Sequence, residues 1–289
     1  MLIVVLVMGT ITAVTAAERI TIASGNFTEP QIIAEAVKYL IEENTELEVE
    51  HVNNFSGSSL LHSAFINDDV QMYITYTGTQ FTGVLGMEVT TDWKDRAKVQ
   101  DYVQTQFDKQ FDAYWFDAFG FNNTYAVVVQ RKLAEKHKLT SISDLAAVAD
   151  SMSIAMDNTF RERVGDGYDA LIETYGFKFK RPVSMDYGLM YRAAAFGSVD
   201  AAVAYSTDGR IAAMDLVVLE DDCNFFPPYD GALVASNSIL AEHPEIKEIV
   251  QPLIGNIDTV TMQYYNQLVD VDYMEICEAA KLLVEDIAQ

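Results

Sequence analysis

The chain has 289 residues, half of them hydrophobic, with 43 acidic side chains against 19 lysines and arginines and a formal net charge of -24. That length accommodates one large domain or two lobes with separate cores. The charge excludes a nucleic-acid backbone or an anionic lipid surface as partner, because both demand clustered lysine and arginine; an acidic surface mildly favours a cationic ligand, though it serves solubility equally well.

Leu2 to Val7 form an apolar run that fades through small residues to Ala16 and Ala17 before the first charge, Glu18. Residues 1–17 read as a signal peptide, with Val14 and Ala16 around the cut, or as a membrane segment, since no lysine or arginine precedes the run. Both readings place the remainder in the periplasm or on the extracellular face of the cytoplasmic membrane.

Arg19 to Phe27 alternates apolar and polar residues and breaks at Gly25, which predicts a strand ending in a loop. Residues 29–45 carry Ile32, Ile33, Ala36, Val37 and Leu40 at helical spacing, with Pro30 in the first turn where proline is tolerated. A strand at 47–54, a helix at 58–69 and a strand at 71–76 follow. This alternation predicts an α/β lobe with a mostly parallel sheet.

The pattern recurs after Asn122. Strands are predicted at 124–130, 151–157 and 200–206, a capped helix at 141–150 with Ser143 and Asp144 near its start, and a further helix from Gly167 to Tyr175. Beyond the NFFPPYD stretch (224–230) come a strand at 231–240 and two long amphipathic helices beginning at Glu245 and Asp272. Two similar halves, with a C-terminal stretch able to return to the first, predict an α/β fold of two lobes with a ligand cleft between them.

Catalytic signatures are missing. Cys223 and Cys277 are too few for a disulfide framework and match no zinc spacing; His51, His62, His137 and His243 are scattered and read as isolated surface residues. GSS (57–59) and GTQFTG (78–83) contain glycine, but no dinucleotide, phosphate-loop or GxSxG pattern is present. Neither a metal nor a cofactor is expected. What stands out is the placing of tyrosines. Tyr76 and Tyr205 end predicted strands, and Tyr125 and Tyr229 fall where the chain would cross between lobes. A lone tyrosine is ordinarily a packing residue; at topologically equivalent places, outside the carboxyl ends of strands, these outline a binding cleft.

The segments NFTE (26–29), YTGT (76–79), GFNNTYA (120–126), YSTDGRI (205–211) and FFPPYD (225–230), in this order, closely resemble the substrate-binding proteins of ABC importers for osmoprotectants. That family takes up glycine betaine, choline, carnitine and related quaternary amines, and the resemblance runs from about Arg19 to the C-terminus. It implies a two-lobed type II periplasmic binding protein, with lobe one at 18–122 plus 227–289 and lobe two at 123–226. It implies a small quaternary-amine ligand, an ABC permease with its ATPase as partners, and a monomer when soluble. Carried over motif by motif, Tyr76, Tyr125, Tyr205 and Tyr229 would cage the trimethylammonium group. Asn26, Thr79, Asn123 and Arg163 would complete the ligand-binding set, Thr79 and Arg163 at the ligand's tail; Asn123 serves equally well as a turn-shaping residue.

The chemistry agrees with the resemblance. A quaternary ammonium has no N–H to donate, so aromatic faces must hold it. Pro227 and Pro228 restrict the backbone immediately before Tyr229, so that ring has little freedom to lose on binding. Two positions depart from the family. Gly25 stands where many relatives carry a lysine for a betaine carboxylate, and Pro30 where glutamine is common. These changes shift weight toward choline, with carnitine and ergothioneine still open. A binding protein for an amino acid or polyamine, with the tyrosines as lobe packing, is the alternative, and an enzyme on the same scaffold is a third.

Overall fold

The computed structural model describes residues 19–288 apart from 56, 89, 91, 92, 164 and 166. The predicted signal or membrane segment, residues 1–17, lies outside the described residues. Among those described, no helix is long and apolar enough to cross a membrane.

Among the described residues, ten strands are arranged in two five-stranded sheets: β1 (Arg19–Gly25), β2 (Glu48–Phe55), β3 (Met72–Tyr76), β4 (Ala113–Trp115), β5 (Tyr125–Gln130), β6 (Ser153–Met156), β7 (Arg181–Ser184), β8 (Ala201–Tyr205), β9 (Leu216–Leu219) and β10 (Gly231–Ser236). The first sheet has the order β2-β1-β3-β10-β4 and the second β7-β6-β8-β5-β9. The chain therefore folds as two lobes, each an α/β layer with its own sheet.

Both sheets are mixed rather than mostly parallel. β1 runs parallel to β2 and β3, and β6 parallel to β7 and β8, but β10 is antiparallel to β3 and β5 is antiparallel to β8. The reason is topological. β5 and β10 each begin directly after a crossing between sheets, and the crossings lie at the carboxyl ends of the parallel strands. A chain entering from that side must run against its neighbours.

The predicted first helix forms as Thr28–Asn44, and its periodic residues Ile32, Ile33, Ala36, Val37 and Leu40 are buried. They pack in one core with Ile22 and Met72 of the sheet and Leu283 of the C-terminal helix Ile276–Ile287. Elsewhere the expected elements change. Residues 141–150 form two short 3-10 turns, Ser143–Ala147 and Ala149–Ser151, rather than a capped helix. There Asp144 spends its carboxylate on the backbone N–H groups of Thr140 and Ser141, holding a turn instead of a helix start. The helix expected from Glu245 is broken into Ile246–Ile249, a turn Gln251–Leu253 and the helix Thr259–Asp270. Pro252 and the left-handed Gly255 (φ 74°) interrupt it.

Of the histidines expected on the surface, His62 is buried and the side chain of His51 is enclosed. His62 lies edge-on to Phe107 and Phe111 and hydrogen-bonds the Tyr73 hydroxyl at 3.1 Å. His51 of β2 sits between Ser24 Oγ of β1 (2.8 Å) and Glu35 Oε1 of the first helix (2.6 Å). The order serine, histidine, carboxylate is that of a nucleophilic triad, but Ser24 is 0% exposed, so no substrate reaches its oxygen. The three groups instead tie two strands to a helix. Cys223 and Cys277 are both exposed and unpaired with each other.

The crossings are hydrogen-bonded to one another. Asn123 N–H donates to Tyr229 O at 2.9 Å, Tyr229 N–H to Asn122 Oδ1 at 2.6 Å, and Thr124 Oγ1 to Pro227 O at 3.1 Å. Gly78 backs onto this segment so closely that a Cβ there would lie 2.5 Å from Pro228 O and 2.9 Å from the Tyr229 ring.

Two outcomes follow from these contacts. Gly78→Ala must push the Pro228–Tyr229 backbone away, and thermal unfolding should show a loss of about 1–3 kcal/mol, the range for overpacking a close contact. Glu35 is held below its usual value of 4.5, chiefly by the hydrogen bond to His51. Its stabilising contribution is therefore complete above pH 4.5 and is lost as pH falls through the lowered value. Urea titrations should give Glu35→Gln a flatter stability profile than the natural protein below about pH 5.

Candidate functional site

A cleft of about 620 Å³ opens between the two sheets, at the carboxyl ends of their parallel strands. Strand register assembles its aromatic wall. Tyr205 closes β8 and is the direct antiparallel partner of Tyr125, which opens β5; both side chains therefore project from the same face. Their ring centroids are 5.0 Å apart. On the other sheet Tyr76 closes β3 opposite Gly231, which opens β10, and Tyr229 enters from the crossing just before it.

Every residue singled out from the sequence lines this cleft: Tyr76, Tyr125, Tyr205 and Tyr229, with Asn26, Thr79, Asn123 and Arg163. Arg163 lies over the Tyr125 ring, 5.6 Å from its centroid, and donates from Nη2 to the Tyr229 hydroxyl at 2.9 Å. Phe225 and Phe226 are buried in the core of the second lobe rather than in the cleft wall.

Several lining residues escaped the sequence reading. Tyr187 begins the helix Tyr187–Ala195, capped by Asp186, and its ring lies edge-on to Tyr205 at 5.2 Å. Phe27 stacks against Tyr76 at 6.2 Å, and its ring lies 3.2 Å from where a Cβ at Gly25 would be. An aromatic ring thus lies against Gly25, the position singled out in the sequence as lacking a lysine. Glu29, Asp157, Asp208, Arg210 and Asp270 also line the site. Phe27 and Glu29 sit inside NFTE, and Asp208 and Arg210 inside YSTDGRI, so the segments carrying the resemblance already contained them. Tyr187 had no such signal.

Three tyrosine hydroxyls end on carboxylates. Tyr76 donates to Glu29 Oε1 at 2.8 Å, Tyr205 to Asp157 Oδ2 at 3.4 Å, and Tyr187 to Asp208. Burial pushes the pKa of Tyr76 well above the ordinary phenol value, with the neighbouring Glu29 adding to it. Tyr187 and Tyr205 are raised for the same first reason. All three are therefore neutral phenols at physiological pH. Glu29 is raised by burial, against hydrogen bonds from Thr207, Tyr76, Asn123 and Asn266 that favour its charged form.

The charge of the lining is unbalanced. Four carboxylates, Glu29, Asp157, Asp208 and Asp270, stand against the guanidinium groups of Arg163 and Arg210, and Arg210 is bound by Asp208 through both Nε and Nη2. Among the described residues the lining holds no histidine, cysteine or lysine. Aromatic faces and surplus negative charge suit the capture of a cation.

A family model described as the substrate-binding domain of an ABC-type glycine betaine transport system matches residues 18–286. The carnitine transport binding protein OpuCC of Listeria monocytogenes is 41% identical, the match covering 84% of this chain and 78% of that protein. A glycine-betaine-binding protein of Pseudomonas aeruginosa is 31% identical over 89% of this chain and 84% of its own. The crystal structure of a glycine betaine/carnitine/choline ABC transporter protein superposes with a TM-score of 0.87 at 38% identity, covering 92% of this chain and 98% of the other. The chain belongs to the family of substrate-binding domains of ABC-type glycine betaine transport systems, and it is a binding protein and not an enzyme.

Proposed function

We propose that this protein captures a quaternary ammonium compound of the betaine, carnitine or choline type between its lobes, outside the cytoplasmic membrane, and presents it to the permease and ATPase of an ABC importer. The observation that carries this reading is the convergence of tyrosine rings from both sheets on a cleft whose carboxylates outnumber its guanidinium groups. Tyr76, Tyr125, Tyr205 and Tyr229 form the cage, and Tyr187 extends it on the second lobe. Each desolvated ring contributes roughly 0.5–2 kcal/mol toward a cation, so four or five supply much of the roughly 8 kcal/mol of micromolar binding.

In this reading residues 18–122 with 227–289 make one lobe and 123–226 the other, and one chain forms the complete site as a monomer. The tail of the ligand is assigned to Arg163 and Thr79. Arg163, whose guanidinium lies over the Tyr125 ring and donates to the Tyr229 hydroxyl at the cleft wall, is the group assigned to a ligand carboxylate. That arrangement accommodates carnitine and glycine betaine as well as choline. The resemblance to a carnitine-binding relative supports the same range.

Calorimetric titration with choline, glycine betaine, carnitine and ergothioneine, with putrescine and ammonium as controls, tests the reading. Binding of the trimethylammonium compounds and none of the controls is the expected result; binding of putrescine alone would move the site to polyamines. Tyr205→Leu, which keeps apolar bulk but removes the ring face, should weaken every trimethylammonium ligand roughly 10-fold while leaving the melting temperature nearly unchanged. Arg163→Met should weaken glycine betaine and carnitine about 10-fold more than choline, because only the first two bring a carboxylate.

A further inference from the structure

Glu29 is a buried cleft carboxylate held by the side-chain donors of Tyr76, Asn123, Asn266 and Thr207. It is 2% exposed. Tyr76 Oη and Asn123 Nδ2 both donate to Oε1 at 2.8 Å, and Asn266 Nδ2 donates to Oε2 at 3.1 Å. The Thr207 side chain supplies a further hydrogen bond. Among the described residues no lysine, arginine or histidine forms an ion pair with it, whereas Asp208 has Arg210. A buried carboxylate with donors and no cation is an incomplete electrostatic arrangement: the hydrogen bonds stabilise the charge, but no positive charge offsets it.

A second observation points the same way. By giving their N–H groups to Glu29, Asn123 and Asn266 turn their carbonyl oxygens elsewhere, and both Oδ1 atoms are buried with no hydrogen-bond partner. Both residues line the cleft. Left without donors, these carbonyl dipoles add to the negative potential beside the cleft wall. The phenol of Tyr76, donating to a carboxylate, also presents a more electron-rich ring face.

We propose that Glu29 is the counter-charge of the bound cation, acting through Tyr76, Asn123 and Asn266, and that it makes the cleft choose a charged trimethylammonium head over an uncharged head of the same shape. This rests on the quaternary-ammonium reading above and names the group that gives it charge selectivity. The rings alone would accept a tert-butyl group by apolar burial; the carboxylate would not assist it.

The test uses pairs differing only in nitrogen against carbon: choline with 3,3-dimethyl-1-butanol, and glycine betaine with 3,3-dimethylbutanoate. Affinities are measured calorimetrically for the natural protein, Glu29→Gln and Tyr76→Phe, with melting curves to verify folding. In Glu29→Gln the preference for cation over isostere should fall by roughly 10-fold or more, while affinity for the isosteres stays within about 2-fold. Tyr76→Phe keeps the ring, removes the hydroxyl link, and should lower the same ratio by a smaller factor. Parallel weakening of both members of each pair in Glu29→Gln would reduce Glu29 to a structural role and overturn the inference. If Glu29→Gln does not fold, an unchanged ratio in Tyr76→Phe overturns it. Failure of the natural protein to bind choline, glycine betaine or carnitine at all would instead sink the quaternary-ammonium reading, and this inference with it.

Discussion

Two antiparallel pairings, Tyr205 with Tyr125 and Tyr76 with Gly231, hold the rest of the site in place. Each joins the last residue of a parallel strand to the first residue of the strand that follows a crossing. Side chains directly opposite in an antiparallel pair share a face and lie close, so the register that closes each sheet also sets its aromatic groups at the cleft. A one-residue slip of β5 along β8 would put Tyr125 on the face opposite Tyr205. The site is thus as well determined as the sheets are, which suits a ligand held by ring faces rather than by directional hydrogen bonds.

The electrostatics of the cleft follow from the same economy of placement. Tyrosine rings facing a cation need their hydroxyls satisfied somewhere, and burial makes an unsatisfied hydroxyl expensive. Glu29, Asp157 and Asp208 accept those hydrogen bonds. The groups that anchor the rings therefore also make the cleft negative, and orientation and attraction come from one set of side chains. Arg210, stacked over Tyr187 and Tyr191 and bound to Asp208, removes part of that charge. Among the described residues, Glu29 has no such partner.

Much of this was legible in the sequence, for identifiable reasons. Ile32, Ile33, Ala36, Val37 and Leu40 announced their helix because one face of it is wholly buried. Tyr76 and Tyr205 marked strand ends because their strands are short, apolar and followed by polar or glycine-containing segments. What stayed hidden depends on contacts distant along the chain. The three-residue β4 and the proline-bearing edge strand β7 exist through their sheet neighbours, not through any periodicity of their own. Tyr187 reaches the cleft because its helix starts beside β8, which no local pattern records. Glu29 looked like one acidic residue among 43; its role emerges only when Asn123, Thr207 and Asn266, from three separate parts of the chain, are seen to converge on it. His51 and His62 were misjudged as surface residues because partners at Glu35, Ser24 and Tyr73 are invisible to spacing.

The paired crossings carry a mechanical consequence. Asn122–Thr124 and Pro227–Tyr229 are bonded side by side into a short two-stranded ribbon. Such a ribbon bends readily across its flat face, whereas sliding one strand along the other would break the bonds at Asn123, Thr124 and Tyr229 at once. The crossings therefore resist shear like the two leaves of a strap, and a third tie lies beside them, where Gln263 and Asn266 of the helix Thr259–Asp270 donate to the Ser206 and Thr207 carbonyls just after β8.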